Sequence, residues 1–443
     1  MEKTWVFKLV ILAAVGLLLS GVLARIGWLV DERQGRQAEA VNSIEESLAG
    51  AQTLIGPVLF RHCKEQWEES QGEGKDKRLV AEQRNFTLTL VPRQLKVSGA
   101  LNHEPRHRGL FKVNAYAGRL QLDAQWDSLA GLQAQALHKG GKLSCDDDRV
   151  MLATTDVRGL RSVELQRAGQ SLALLPGTGY PNYSQGIHAE LGVLDPSTVS
   201  LASPLALSLQ LDLVGTQRFA LVPAAQMTRM DLRSDWPHPS FGGRFLPNQR
   251  SVSEQGFTAS WQVSALASSA AQAVQQAEDA AKLERLSFEM LDPVNPYVMS
   301  DRAIKYGLMF ILLTFTCVGL VELLSGRKVH PVQYLLVGLA MSLFFLLLLS
   351  LSEHLSFALS YAGAAAAAIA LLTFYGAHML GGWRRGLGFG AGLALLYGAL
   401  FVLLQQEQAA LMLGSVLLFL VLASVMVLTR RLDWYELTRG KID

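Results

Sequence analysis

Charge of either sign is scarce in this 443-residue chain, and cysteine is scarcer still. Asp, Glu, Lys and Arg make up 18% of the residues, the formal net charge is +2, and there are three cysteines. A nearly neutral chain is not a generally basic nucleic-acid binder, so no nucleic-acid partner is expected. No Walker P-loop, G-x-S-x-G elbow or Cys/His cluster at zinc spacing occurs, so no cofactor or metal is expected. Apolar residues are what abounds. They form half of the chain, and mean hydropathy is +0.23. That is too apolar for an ordinary soluble protein and points to several spans of a lipid bilayer.

The apolar runs bracket a long polar middle. The first is FKLVILAAVGLLLSGVLARIGWLV, Phe7–Val30, with Lys3 and Lys8 before it. It is longer than a signal-peptide core, which favours an uncleaved anchor. Five more runs follow near Ile304–Leu324, Val332–Leu351, Leu355–Leu380, Leu387–Leu404 and Ala409–Leu428. Each approaches the ~20 residues that cross a bilayer, so six spans are expected in a 1 + 5 pattern. Orientation follows from the loops. Arg327 and Lys328, Arg384 and Arg385, and Arg430, Arg431, Arg439 and Lys441 all fall on the side of Lys3 and Lys8. The alternate loops SEH and QQEQ have no Lys or Arg, while Arg302 and Lys305 are an exception at an outer edge. Both termini are thus expected in the cytoplasm and residues 31–299 outside it, with 1–30 as anchor and 300–443 as a five-helix bundle with a basic tail. The middle, with 27 basic and 30 acidic side chains, is close to neutral.

Within 31–299, strands announce themselves by alternation. NFTLTLVP, GRLQLDAQW, PLALSLQLDLVG and GFTASWQVSA each place apolar residues at every second position. One buried face per strand predicts a large antiparallel β-sandwich-like domain, making the protein an α+β membrane protein. A helical stalk is expected near 36–50, and an Ala/Gln-rich helix near 266–286. DLRSDWPHPSFGGRFLP (231–247) is rich in proline and aromatics, which excludes a helix interior or a central strand. Either it is a rigid corner capping the sandwich, or Trp236, His238 and Phe241 form an aromatic surface for a glycan or a periplasmic protein partner.

Other candidates are few. HEPRH (103–107) matches the zinc-protease pattern H-E-x-x-H, but Pro105 and strand-like flanks remove the helix that chemistry needs. GLGFGAG (386–392) lies inside a span, where small residues serve helix packing. Cys63 and Cys145 are both in the middle segment, and a disulfide and two free thiols are equally open. Near the spans, Glu322, His330, Gln333, Glu353 and His354 stand out. Ionisable groups in a bilayer are costly and are functional or paired, unless they sit at the wet interface.

Several longer strings resemble the CreD family of inner-membrane cell envelope integrity proteins of Gram-negative bacteria. They are LIGP (54–57), PGTGYPNYSQGIHA (176–189), LRSDWPHPSFGGRFLP (232–247), GFTASW (256–261), SDRAIKYG (300–307), HPVQYLLVGLAMSLFFLLLLSLSEH (330–354) and LTRRLDWY (428–435). The resemblance implies an N-terminal span, a periplasmic domain and a C-terminal membrane bundle. It also implies association with a two-component system of the same name and with envelope stress and the β-lactam response. It carries no catalytic residues. RHRGLFKVNAY (106–116) departs from the expected family string RRGIY. The expected function is a non-enzymatic envelope protein whose β domain contacts or senses an envelope component. The rivals are an enzyme acting on peptidoglycan or lipid-linked substrates, and a transporter or proton-coupled device using Glu322, Glu353 and His354. Oligomeric state is not readable from one chain.

Overall fold

The computed structural model describes residues 2–71, 78–292, 295–325, 329–405 and 410–430. The chain divides into two compact units. One comprises Met1–Gln37 and Val294–Asp443, the other Ala38–Pro293.

The helical unit is built on α1 (Glu2–Ser47) as far as Gln37, α3 (Pro296–Ser325), α4 (Pro331–Ser352), α5 (Phe357–Met379), α6 (Trp383–Gln405) and α7 (Ala410–Thr429), while the rest of α1 and α2 (Ala270–Gln275) belong to the other unit. Among the described residues five helices, α1 and α3 to α6, are long and apolar enough to cross a membrane. In α7 the apolar stretch is Gly414–Val427, shorter than the sixth span expected from the sequence. The expected stalk near 36–50 is not separate, because α1 runs unbroken from the apolar segment to Ser47. No proline or glycine pair interrupts it there, so nothing ends the helix at the lipid boundary.

Close packing in this unit uses small residues. A Cβ on Gly386 would lie 2.6 Å from the Ala377 Cα, so α5 and α6 approach to a distance only glycine permits. That is the role of the GLGFGAG string. Leu19 and Leu23 of α1 pack against Gly338 of α4 and Gly307 of α3, in a cluster running through Phe310, Phe344, Tyr361 and Tyr397.

The β unit holds seventeen strands among the described residues: β1 (Gln52–Gln71), β2 (Arg78–Leu90), β3 (Gln94–Arg108), β4 (Phe111–Trp126), β5 (Lys142–Cys145), β6 (Asp148–Thr154), β7 (Leu160–Arg167), β8 (Gln170–Leu172), β9 (Leu175–Pro176), β10 (Gly186–Gly192), β11 (Leu205–Thr216), β12 (Arg218–Leu221), β13 (Met227–Ser234), β14 (Pro239–Gly243), β15 (Gln249–Ser253), β16 (Gly256–Ser264) and β17 (Leu286–Met290). Nine form a sheet ordered β14-β17-β12-β1-β6-β10-β9, with β2 and β5 also pairing with β1. Eight form a second sheet ordered β15-β16-β13-β3-β4-β11-β7-β8. Both sheets are mixed rather than antiparallel throughout. β1 runs parallel to β12, and β3 runs parallel to β13. Alternation reports which face of a strand is buried but not the direction of its neighbour, so these two pairings were invisible in the sequence.

A single buried cluster draws on both sheets. Phe219, Phe288, Leu54 and Leu152 come from the first, and Leu122, Leu209, Leu211, Met230 and Trp261 from the second. All five alternating leucines of β11, from Leu205 to Leu213, are buried. A second cluster covers the other face of the nine-stranded sheet, where α2 lays Ala270, Ala273 and Val274 against Val58, Phe60 and Met151. The Ala/Gln-rich helix expected near 266–286 shrinks to the six residues of α2 and a 3-10 turn at Ala280–Lys282. Ala277 takes a left-handed backbone (φ 50°), Asp279 caps the turn, and Leu286 is drawn into β17. Burial of Leu283 and Leu286 overrides alanine's helix preference.

Candidate functional site

The proline-rich string joins the sheets. β13 lies in the eight-stranded sheet, β14 in the nine-stranded sheet, and β15 in the eight-stranded sheet again. The segment expected as a loop thus contains a short edge strand. Pro239 opens it, a position where the missing N–H costs no ladder bond. Trp236 is 5% exposed, with its indole N–H donating to the His238 carbonyl at 2.8 Å. His103 packs at 4.5 Å between ring centroids, and Lys112 sits over the indole at 5.7 Å. The Asp235 carboxylate accepts the His103 backbone N–H at 2.6 Å. Phe241 turns inward against Phe257 and Trp261. Trp236 is thus closed to stacking on a sugar face, while His238 is exposed.

HEPRH lies on β3, extended rather than helical, and His103 Nε2 bonds to the Asn114 side chain at 3.0 Å. Among the described residues no three His, Cys, Asp or Glu side chains converge as a metal site.

Cys63 and Cys145 are joined by a disulfide that links β1 to β5, their Cα atoms 4.1 Å apart. Two residues along, sequence reasoning had passed over Glu65, whose side chain is wholly buried. Its Oε1 accepts the backbone N–H groups of His138 (2.8 Å) and Leu137 (2.9 Å). Arg84 reaches its Oε2 at 3.1 Å, and His138, stacked flat on Trp67 at 3.7 Å, stands 3.4 Å away. The His138 backbone N–H, aided by Leu137 and the imidazole, holds the Glu65 carboxyl below the usual carboxylate range despite desolvation. A Cβ on Gly141 would come within 2.6 Å of Oε1, so only glycine lets the chain close here. The 133–145 segment is pinned to β1 twice, once covalently and once by a buried anion. A buried carboxylate with one oxygen accepting two backbone N–H groups and the other facing Arg84 acts as a clamp rather than a general base. The GG pair before Cys145 was the one sequence signal that could have marked it.

In the helical unit the polar candidates resolve into helix ends. Glu322 pairs with Lys8 of α1 and accepts the Tyr334 hydroxyl at 3.0 Å. Glu353 pairs with Arg33 of α1 at 3.3 Å. α1 is therefore clipped at both ends of its apolar stretch, 25 residues or roughly 37 Å apart. His330 and Gln333 form a capping box on α4: His330 Nδ1 accepts the Val332 N–H, and Gln333 Oε1 accepts the His330 N–H. His354 is exposed in the turn after α4, and these five residues do not gather into one site. Arg327, Lys328, Arg431, Arg439, Lys441 and the Lys3 side chain lie outside the described residues, as does most of QQEQ.

The family model described as inner membrane protein CreD matches residues 4–435. Inner membrane protein CreD of Escherichia coli (strain K12) is 32% identical over 441 residues, covering 98% of this chain and 95% of that one. The chain belongs to the CreD family. It is thus an inner-membrane family, and the apolar helices are in contact with lipid. Among solved structures, an M1 zinc metallopeptidase from Deinococcus radiodurans aligns with 45% of this chain and 42% of its own at 11% identity, with a TM-score of 0.19. A substrate-bound mutant of that enzyme aligns at 0.22. Scores this low carry no inference for a CreD protein.

Proposed function

We propose that this CreD-family protein holds a β-sandwich module on the periplasmic face of the inner membrane, where the module contacts or senses an envelope component without catalysis. Both termini are cytoplasmic, and α7 completes six spans. In this way it contributes to envelope integrity and the response to envelope stress. The observation that carries the reading is the Cys63–Cys145 disulfide, since such bonds form and persist in oxidising compartments. Lys8 and the SEH turn near Arg33, a turn with no Lys or Arg, agree with it, because Lys8–Glu322 and Arg33–Glu353 mark opposite ends of the apolar stretch of α1. Those pairings also engage the two carboxylates a proton-coupled device would need, which favours an anchor over a transporter.

The test is thiol accessibility in intact cells. Cys63 and Cys145 should resist a membrane-impermeant maleimide until an impermeant reductant is added outside the inner membrane, and then react. Free thiols that react only after lysis would overturn the topology and the function built on it.

A further inference from the structure

Two arginines on the outer face of the eight-stranded sheet close on carboxylates beside them. Arg119 of β4 bonds Asp212 of β11 at 2.8 Å, and on β13 Arg229 bonds Asp231, two residues along, at 2.8 Å. Arg233 and Asp235 repeat the spacing of that second pair but stay open. No ion pair or hydrogen bond engages the exposed Arg233 side chain among the described residues. Asp235 turns instead to the β3 backbone, its Oδ1 accepting the His103 N–H at 2.6 Å. Its Oδ2 takes no hydrogen bond from a described residue.

Arg233 and Asp235 line a hollow of about 310 Å³ whose walls follow from strand register. Thr258 of β16 stands opposite Arg233, and Ser251 of β15 opposite Thr258. Side chains paired across strands share a face, so a guanidinium and two hydroxyls fall in one row. On the other side Arg233 faces Ala100 of β3, too small to fill the space, and Asn102 returns to the same face two residues on. The floor is backbone. Gly256 has φ 124°, and a Cβ there would lie 2.1 Å from the Ser234 carbonyl oxygen, so only glycine lets the strands approach. The buried Trp236 follows Asp235 directly, so the rigid corner also fixes that carboxylate.

We propose that this hollow binds the head of an α-amino acid, its carboxylate on Arg233 and its ammonium on Asp235. Residues two apart on a strand stand roughly 6–7 Å apart along it, which leaves room between them for both groups of one α-carbon. A guanidinium fork grips a carboxylate through two parallel bonds, and Asp235 keeps Oδ2 for the ammonium. Asp235 would repel a phosphate or a plain carboxylate, and an uncharged sugar would bring no counter-charge to either side chain. A zwitterion satisfies both together. Free amino acids carry such a head, as does a diamino diacid joined to a peptide through its other end. The proposal rests on the reading above, whose envelope component it names.

The experiment uses the purified full chain in detergent, with binding followed by saturation-transfer NMR of the ligand. Alanine should bind with a dissociation constant on the order of 1 mM. N-acetylalanine, alanine amide and inorganic phosphate, each lacking one half of the head, should bind at least about tenfold more weakly. Arg233→Gln should cost as much, and so should Asp235→Asn, which keeps an acceptor for the His103 N–H. Arg229→Gln, whose arginine is already closed on Asp231, should change nothing. Thr258→Asp, an exposed position opposite Arg233, supplies an internal counter-ion and should weaken binding similarly. The tripeptide alanyl-glutamyl-diaminopimelic acid, with a free head at the end of its last side chain, identifies the source. Tighter binding than alanine points to an envelope peptide, and weaker binding to a free amino acid. Three results would overturn the proposal: no saturation of alanine or the tripeptide, N-acetylalanine or phosphate binding as well as alanine, or alanine binding unchanged in all three site variants. Near-UV circular dichroism and an intact disulfide confirm that each variant is folded. The two tests fail separately, since thiols reached only after lysis would leave this binding in place, and absent binding would leave the topology standing.

Discussion

The two units of this chain solve the same problem by opposite means. In the β unit, several polar groups are taken deep inside and bonded there. Glu65 is held by two backbone N–H groups and Arg84, the Trp126 indole donates to Leu90, and the Tyr116 hydroxyl donates to the Arg218 carbonyl. In the helical unit, charge is kept to the ends. Lys8–Glu322 and Arg33–Glu353 sit at the two limits of the apolar stretch of α1, and between them the packing is mainly of leucine, phenylalanine and glycine. A domain surrounded by water can spend buried hydrogen bonds on specificity, because unfolding returns those groups to water. Helices in lipid gain little that way and rely on close packing.

If that contrast is correct, perturbing one unit should leave the other's unfolding transition in place. The largest effect is expected from Trp236→Ala, which opens the corner where the sheets are stitched. Its cost should be about 3–5 kcal/mol, read as an earlier loss of near-UV circular dichroism while helical signal persists. Trp236→Phe, which loses the bond to His238, should cost about 1 kcal/mol. Next is removal of the disulfide by Cys63→Ser with Cys145→Ser. The bond closes a long loop, its cysteines 82 residues apart, and losing it should lower β-unit stability by about 2–5 kcal/mol. A simultaneous fall in the helical transition would break the comparison.

Acid should then distinguish the clamp. The folded Glu65 carboxyl is held below its unfolded value of about 4.3, so it stabilises the fold above that pH. The contribution fades as pH falls from there through the lower folded value. Melting of the β unit followed from pH 7 downward should show this acid limb. Glu65→Gln should melt earlier at pH 7 and lose less on acidification. An unchanged limb in Glu65→Gln would assign it to other carboxylates, among them Asp156, which Arg158 also holds low. The smallest effect is expected at Glu322→Gln. Interhelical polar contacts average about 0.6 kcal/mol, so the helical transition in detergent should shift only slightly and the β transition not at all.

Period-two alternation placed β4, β11 and β16 because one face of each meets the core, and β11 buries its five leucines as spaced. The apolar runs placed five long helices for an equally direct reason: lipid tolerates little else over that length. The parallel partners of β1 and β3 could not be read, since they lie more than a hundred residues away and alternation carries no strand direction. Glu65 was hidden for a different reason. CKEQWEES reads as a polar, solvated run, and only the return of residues 137 and 138 over β1 turns one of its carboxylates inward. The alanines near 270–281 misled because local helix preference is weak against the burial of two leucines. The proline corner was half legible. Its rigidity was plain from composition, but its use as a shuttle between sheets needed the topology.

Gln37 and Asn295 touch, the Asn295 amide donating to the Gln37 side-chain oxygen at 3.2 Å. The polypeptide therefore departs from the helical unit and comes back to it through neighbouring doors, so the whole of 38–293 is topologically a cassette. A few flexible residues suffice to splice position 37 to position 295, leaving a compact bundle free of its cargo. By the same logic a foreign fold with adjacent termini could be grafted in its place, which makes the scaffold portable.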